Sequence, residues 1–263
     1  MSTRALTMRT PRRGATARSI RRNASSLVLT LIVAVLATLV SYLFYLNVQD
    51  SDYLQLKTIR VEGANVLTPE RIVAISGLTN EDNILFIRTS SVRGRLIAEP
   101  FIEKCRVARI FPDMVSIRVV ERAVAGTLMA HNRAYLIDGE GIVLQKLDPI
   151  AAPPAPLITE VPELGNVEVG GMARQRPLFE ALAVWQAFQT TEMSKQVTVS
   201  ELAAHAPNDI RMYCDEVRYE IRWGRGDYEK QAKRLDVLWR EKQGCLPCLE
   251  YLDLRFGRDL ACK

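Results

Sequence analysis

The sequence predicts an α+β protein: one N-terminal membrane-spanning helix, a small β-α-α-β-β module, and a mainly antiparallel β-domain carrying amphipathic helices. Three observations lead there. Leu27 to Leu46 is a run of 20 residues with neither charge nor proline, which at about 1.5 Å per residue spans a hydrocarbon core of roughly 30 Å. Beyond it, short stretches alternate apolar and polar residues, while a few longer ones repeat apolar residues at the helical period. With 48% hydrophobic residues in a chain of 263, the remainder is large enough to bury real cores, and we divide it into two domains.

The run comes first in the chain, and its flanks orient it. Arg4, Arg9, Arg12, Arg13, Arg18, Arg21 and Arg22 precede it with no lysine or acid, and the first acid after it is Asp50. That asymmetry predicts a cytoplasmic tail over residues 1–26, a spanning helix over 27–46 and the rest of the chain on the far side. A cleaved secretory signal is the rival, but the run ends in Tyr42, Phe44 and Tyr45 where a small-x-small site would be needed. Arg21-Arg22 is the minimal sign of a twin-arginine export signal, but paired arginines are expected in any short arginine-rich flank, and that plainer reading is favoured. The net charge is +5, and the seven tail arginines leave −2 for everything that follows. The part expected to fold therefore lacks the basic footprint of a nucleic-acid binder.

The first module is placed at residues 53–124. Ile59 and Val61 alternate as a strand, and Gly63 to Asn65 makes a turn. Thr68-Pro69-Glu70 supplies an N-cap, a proline at the first helical position and an acid at the positive end of the helix dipole. Ile72, Val73 and Ile75 then face a core, and Gly77 stops the helix. A second helix from about Ser90 sets Val92, Leu96 and Ile97 on one face before Pro100. Strands Ile102 to Ile110 and Met114 to Glu121 follow, joined by a Phe111-Pro112-Asp113 turn. In the second of them Val115, Ile117 and Val119 alternate with Ser116 and Arg118.

The second domain is placed at 125–263. Tyr135 to Ile137 and Ile142 to Leu144 flank Asp138-Gly139-Glu140-Gly141, a hairpin signal. Asp148 to Pro156 holds four prolines and reads as a surface excursion within the domain. Leu178, Leu182 and Trp185 mark a helix from Arg176 to Gln189. Val217, Tyr219, Ile221 and Trp223 line one face of a strand that pairs with Ile210 to Cys214. Asp227 to Lys242 is an amphipathic helix turning Ala232, Leu235, Leu238 and Trp239 inward. The last strand, Tyr251 to Phe256, sets Leu252, Leu254 and Phe256 on one side and Asp253 and Arg255 on the other.

Catalytic signatures are sparse. His131 and His205 stand apart from cysteines and paired acids, and there is no phosphate loop, nucleophile elbow or zinc-protease motif. Cys245-Leu246-Pro247-Cys248 has the spacing of a redox pair, yet it follows a helix end and precedes a strand, the reverse of a thioredoxin-like setting. Zinc would require two further ligands, and the spacing of Cys214 and Cys262 does not support them in that role. A structural disulfide or free thiols suits an oxidising compartment better; the five cysteines leave one over, and their connectivity stays open.

Four segments taken together carry a resemblance. KTIRVEGANVLTPERI (57–72), VARIFPDMVSIRVVERAVAG (107–126), YLIDGEGIVL (135–144) and YLDLRFG (251–257), in that order after one spanning helix, resemble the FtsQ/DivIB family of bacterial division proteins over about residues 27 to 257. The specific parts are Pro-Asp-x-x-x-Ile-x-Val-x-Glu-Arg (Pro112 to Arg122), the aspartate-glycine hairpin and the final Asp-Leu-Arg-aromatic. The resemblance implies a POTRA domain at 53–124 and the family's β-domain at 125–263, both outside the inner membrane. It also implies a scaffold enriched at the division septum, with no catalytic, cofactor-binding or metal residues, that joins early to late division proteins. In the family such a scaffold binds FtsB and FtsL, reaches FtsK, and helps control the septal peptidoglycan synthase pair FtsW and FtsI.

The same resemblance carries FtsB binding onto Tyr251, Asp253, Arg255 and Phe256, with Leu260 added, and recruitment by the POTRA domain onto Lys104, Val107 and Arg109. A free sheet edge gives this a mechanism, because unpaired N–H and C=O groups accept an incoming strand. For Lys104, Val107 and Arg109 the plain alternative is a packed valine between two solvated cations. Two other classes compete. A membrane-anchored thiol oxidoreductase would use Cys245 and Cys248. A POTRA-type chaperone or assembly factor would need a C-terminal barrel for which 139 residues leave no room.

Overall fold

The computed structural model describes residues 15–49, 52–148, 156–244, 246–256 and 261–263; side chains at 15–27 and at 49 are left undescribed. The proline-rich excursion therefore lies almost wholly outside the described residues. The chain forms an α+β architecture in two compact units, one made of the sequence up to Thr58 with 79–87 and 110–114, the other of 59–78, 88–109 and 115–263.

The first unit is built on helix α1, Ala15–Gln49, which contains an uncharged apolar stretch, Val28–Val48, exposed throughout except at the half-buried Val48. A short bridge pairs Gln55 with Asn83, and backbone N–H groups of Leu56 and Ile84 donate to Asp82 and Leu54, each at 2.9 Å. Leu56 and Ile84 are fully buried there.

The second unit begins with strand β1, Thr58–Glu62. Helix α2, Pro69–Ser76, is capped as its residues predict: the Thr68 hydroxyl accepts from the Arg71 N–H, and Gly77 closes it in the left-handed region. Its buried residues are Ile72 and Ser76, whereas Val73 and Ile75 are half-buried. Helix α3 is Thr89–Ile97. Val92 and Leu96, four residues apart, share its inner face, but Ile97 lies about 100° further round and is exposed. Strands β2, Ile102–Ile110, and β3, Met114–Glu121, complete a three-stranded sheet in the order β1-β3-β2. Gly63 is required where the chain leaves β1: its φ is 85°, and a Cβ there would meet the Val119 carbonyl oxygen at 2.2 Å.

A larger sheet follows, made of β4 Val124–Ala130, β5 Arg133–Asp138, β6 Val143–Lys146, β7 Leu157–Thr159, β8 Val199–Ala206, β9 Asp209–Cys214, β10 Val217–Trp223, β11 Tyr251–Asp253 and β12 Ala261–Cys262. Among the described residues the order is β12-β11-β10-β9-β8-β7-β4-β5-β6. The pairs β4–β7, β7–β8 and β10–β11 are parallel and the rest antiparallel. Helices α4, Arg176–Phe188, and α5, Tyr228–Glu241, supply Leu178, Val184, Phe188, Ala232, Leu235 and Trp239 to its core. Trp185 and Leu238, expected inward, are only partly buried against that core.

Candidate partner-binding edges

The margin of the large sheet is where the expected edge strand lies, and it differs from the expectation. Strand β11 stops at Asp253, not Phe256. It is also not the outermost strand: β12 pairs antiparallel beyond it, Leu252 opposite Cys262 and Asp253 opposite Ala261. The Lys263 N–H donates to the Tyr251 carbonyl at 3.1 Å, and the Tyr251 N–H returns a bond to the Lys263 carbonyl at 3.3 Å. The outward backbone groups of β11 are thus occupied by the chain itself. Because antiparallel residues alternate, the Cys262 N–H and C=O face away from β11 and form the new outer edge.

A covalent bond fastens this margin. Cys248 and Cys262 form a disulfide across a separation of 14 residues. That corrects the pairing of Cys248 with Cys245 as a redox dithiol, because the Cys248 sulfur is already bonded elsewhere; Cys245 itself lies outside the described residues. Cys105 and Cys214 are free and buried. Burial pushes both thiols up, Cys214 to about 12 with help from nearby Glu216 and Asp215, so neither supplies a thiolate at neutral pH. Among the described residues no group of three or more His, Cys, Asp or Glu side chains is placed to hold a metal ion.

The predicted partner residues separate by role. Tyr251 is half-buried, with the Arg222 guanidinium 4.1 Å from its ring centroid. Asp253 is 1% exposed, and its carboxylate accepts from Arg255 at 2.9 Å and 3.0 Å from Nε and 2.6 Å from Nη2, plus the Arg255 backbone N–H at 2.9 Å. Burial pushes that carboxyl up, but the Arg255 bonds outweigh it and leave it below the ordinary range. Asp253 and Arg255 therefore hold each other. Phe256, expected on the same side as Leu252 and Leu254, is 58% exposed because the strand has already ended. Leu260 lies outside the described residues. Sequence reasoning missed Leu249, which is 83% exposed beside the disulfide; its one signal was an apolar residue outside any strand alternation.

The other candidate edge is β2, at the margin of the three-stranded sheet. Lys104 and Val107 line a cavity of about 910 Å³ with Ser90, Arg93 and Ile97 of α3. Arg109, on the same strand, is exposed and outside that lining. Lys104 pairs with Glu103 at 2.5 Å. Val107 is half-buried.

The diagnostic motif of the sequence proves to be a clamp. Glu121 accepts the N–H groups of Asn65, Val66 and Leu67 at 2.8, 2.7 and 2.9 Å. Arg122 donates to Asp138 at 2.8 Å, and Asp138 in turn caps the hairpin by accepting from Glu140 and Ile142. The described residues thus combine one helix long and apolar enough to cross a membrane, a three-stranded β-α-α-β-β module and a second sheet whose margin is closed by a disulfide.

Comparison with known proteins gives the family. Residues 54–122 match the FtsQ-type POTRA domain, and residues 127–255 match the C-terminal domain of cell division protein FtsQ/DivIB. The chain is 30% identical over 186 residues to the cell division protein FtsQ of Anaeromyxobacter sp. (strain K), covering 70% of this chain and 62% of that protein. It is 27% identical over 213 residues to FtsQ of Syntrophotalea carbinolica, covering 81% and 75%. Over 98 residues it is 27% identical to cell division protein DivIB of Clostridium tetani. The chain belongs to the FtsQ/DivIB family of cell division proteins.

Proposed function

We propose that this protein is a non-catalytic division scaffold of the inner membrane. Helix α1 anchors it with residues 1–26 in the cytoplasm, and the domains at 53–124 and 125–263 stand in the periplasm, concentrated at the septum. The second domain binds FtsB and, with it, FtsL. The first takes part in recruitment with FtsK through Lys104, Val107 and Arg109. Through these contacts the protein influences FtsW and FtsI. The observation that carries the reading is the stapled margin β11–β12, an outer strand with outward backbone groups and the exposed side chains of Phe256 and Leu249 beside it. An added strand gains backbone hydrogen bonds worth about 0.5–1.5 kcal/mol each, and the apolar side chains supply selectivity. Anchoring both partners in one bilayer raises their effective concentration, so a small edge suffices.

Tyr251, Asp253 and Arg255 act in this scheme by building the edge, and Phe256 by touching the partner. The test is retention of the FtsB periplasmic segment by the full chain in detergent. Phe256→Ala combined with Leu249→Ala is expected to weaken retention about tenfold or more while leaving the thermal transition unchanged. Retention equal to wild type removes this edge as the FtsB site.

A further inference from the structure

Loop 79–87 meets the last turns of the apolar helix. The Asn83 side-chain amide donates to the Val48 carbonyl at 2.7 Å, and the Phe86 ring meets Tyr45 edge-on with centroids 5.5 Å apart. The loop is held in that shape from within: Asn83 also accepts the Leu85 N–H at 3.0 Å on its side-chain oxygen and the Phe86 N–H at 3.0 Å on its carbonyl. Tyr45 lies inside the apolar stretch Val28–Val48, so a ring resting on it shares its depth along the helix. Phe86 and the preceding Leu85 are nevertheless 44% and 40% exposed. Two large apolar side chains are thus exposed in a tight turn beside the last turns of a helix long and apolar enough to cross a membrane.

We propose that Leu85 and Phe86 insert into the lipid interface, making the turn a second, non-covalent foothold of the protein on the bilayer. The occupant is lipid because the patch is continuous with the lipid-facing surface of α1 through the Tyr45–Phe86 contact. Aromatic rings favour this boundary, and apolar side chains seat about 5–10 Å into it. The effect is to hold the emerging chain close to the membrane surface, so the helix end and the turn act as one support. The inference rests on α1 spanning the bilayer, which the experiment checks separately.

The full chain is reconstituted into vesicles of phosphatidylethanolamine and phosphatidylglycerol whose acyl chains carry bromine near the headgroup end. Single tryptophans are added as Phe86→Trp or Leu85→Trp, and as Val40→Trp within the helix, with the native fluorescence subtracted. The expected result is that brominated lipid removes roughly half or more of the added emission at positions 85 or 86, given the depth of about 5–10 Å, while aqueous iodide removes little. Emission at 86 and 85 quenched by iodide and untouched by brominated lipid overturns the inference, and so does shelter from both quenchers, which would mean a protein cover. If Val40→Trp also escapes brominated lipid, the spanning helix itself fails; if Val40→Trp is quenched and the turn is not, only the lipid foothold fails.

Discussion

At the scale of single residues, the carboxylates that hold this protein together are identifiable by what donates to them. Asp253 is buried with its charge satisfied by Arg255, and its carboxyl lies below the ordinary range in the folded state. A group whose pKa is depressed by folding stabilises above its unfolded value and loses that contribution as pH falls through the folded value. Asp253→Asn is therefore expected to cost about 2 kcal/mol at pH 7, discounted from a fully buried pair because the Arg255 head is partly solvated. In urea titrations the gap between variant and wild type should close as pH drops below about 3.9; a gap that stays constant to pH 2.5 contradicts the account. Glu121 obeys the same sign: burial raises its carboxyl, the N–H groups of Val66, Leu67 and Asn65 more than offset this, and it rests below the usual range. Glu121→Gln should cost about 1–3 kcal/mol. It should also speed amide exchange at residues 65–67, and unaltered exchange there would show that the carboxylate is not their acceptor.

At the scale of elements, the strands with strict alternation were legible and the margin was not. Met114–Glu121 is observed with the bounds that Val115, Ile117 and Val119 predict, because one buried and one wet face leave the register a single solution. Helix α2 announced both ends through Thr68-Pro69 and Gly77. By contrast β12 is two residues long, too short for any period, and it exists where Cys262 is tied to Cys248, a pairing that spacing alone does not specify. Phe256 shares a side with Leu252 and Leu254 only if the strand continues, and Ile97 faces inward only if adjacent helical positions share a face. The staple has a measurable consequence. Closing a loop of about 15 residues restricts the unfolded chain by about 3 kcal/mol, and a two-residue strand lacks the contacts to hold its place alone. Cys262→Ser should leave the far-UV circular dichroism essentially wild-type but release protection of the Tyr251 amide. FtsB retention should fall with it, since the acceptor edge is no longer preformed. Tighter retention by Cys262→Ser would mean instead that β12 competes with the partner strand for β11.

At the scale of the whole molecule, every function proposed for the folded part depends on which side of the bilayer it occupies, and the chain commits that decision to its first 26 residues. Seven arginines before the apolar run and none of the opposite charge bias the helix strongly. The folded part itself is slightly acidic, so it does not oppose export by carrying its own excess of cations. An alkaline phosphatase fused after Lys263 should be active in cells, since that enzyme matures only outside the cytoplasm, and a β-galactosidase fusion at the same point should be silent. Replacing all seven arginines with serine, and placing four lysines between Asp50 and Tyr53, should shift the balance toward the inverted orientation and exchange the two reporter signals at least in part. The Cys248–Cys262 bond supplies an independent readout, because disulfides persist in an oxidising compartment and are reduced in the cytosol. Alkylation before and after reduction should therefore find these two cysteines blocked in the native orientation and reactive in the inverted one. If they are equally reactive in both, the folded part of the native chain faces the cytosol and the partner edge is on the wrong side of the membrane to meet a periplasmic strand.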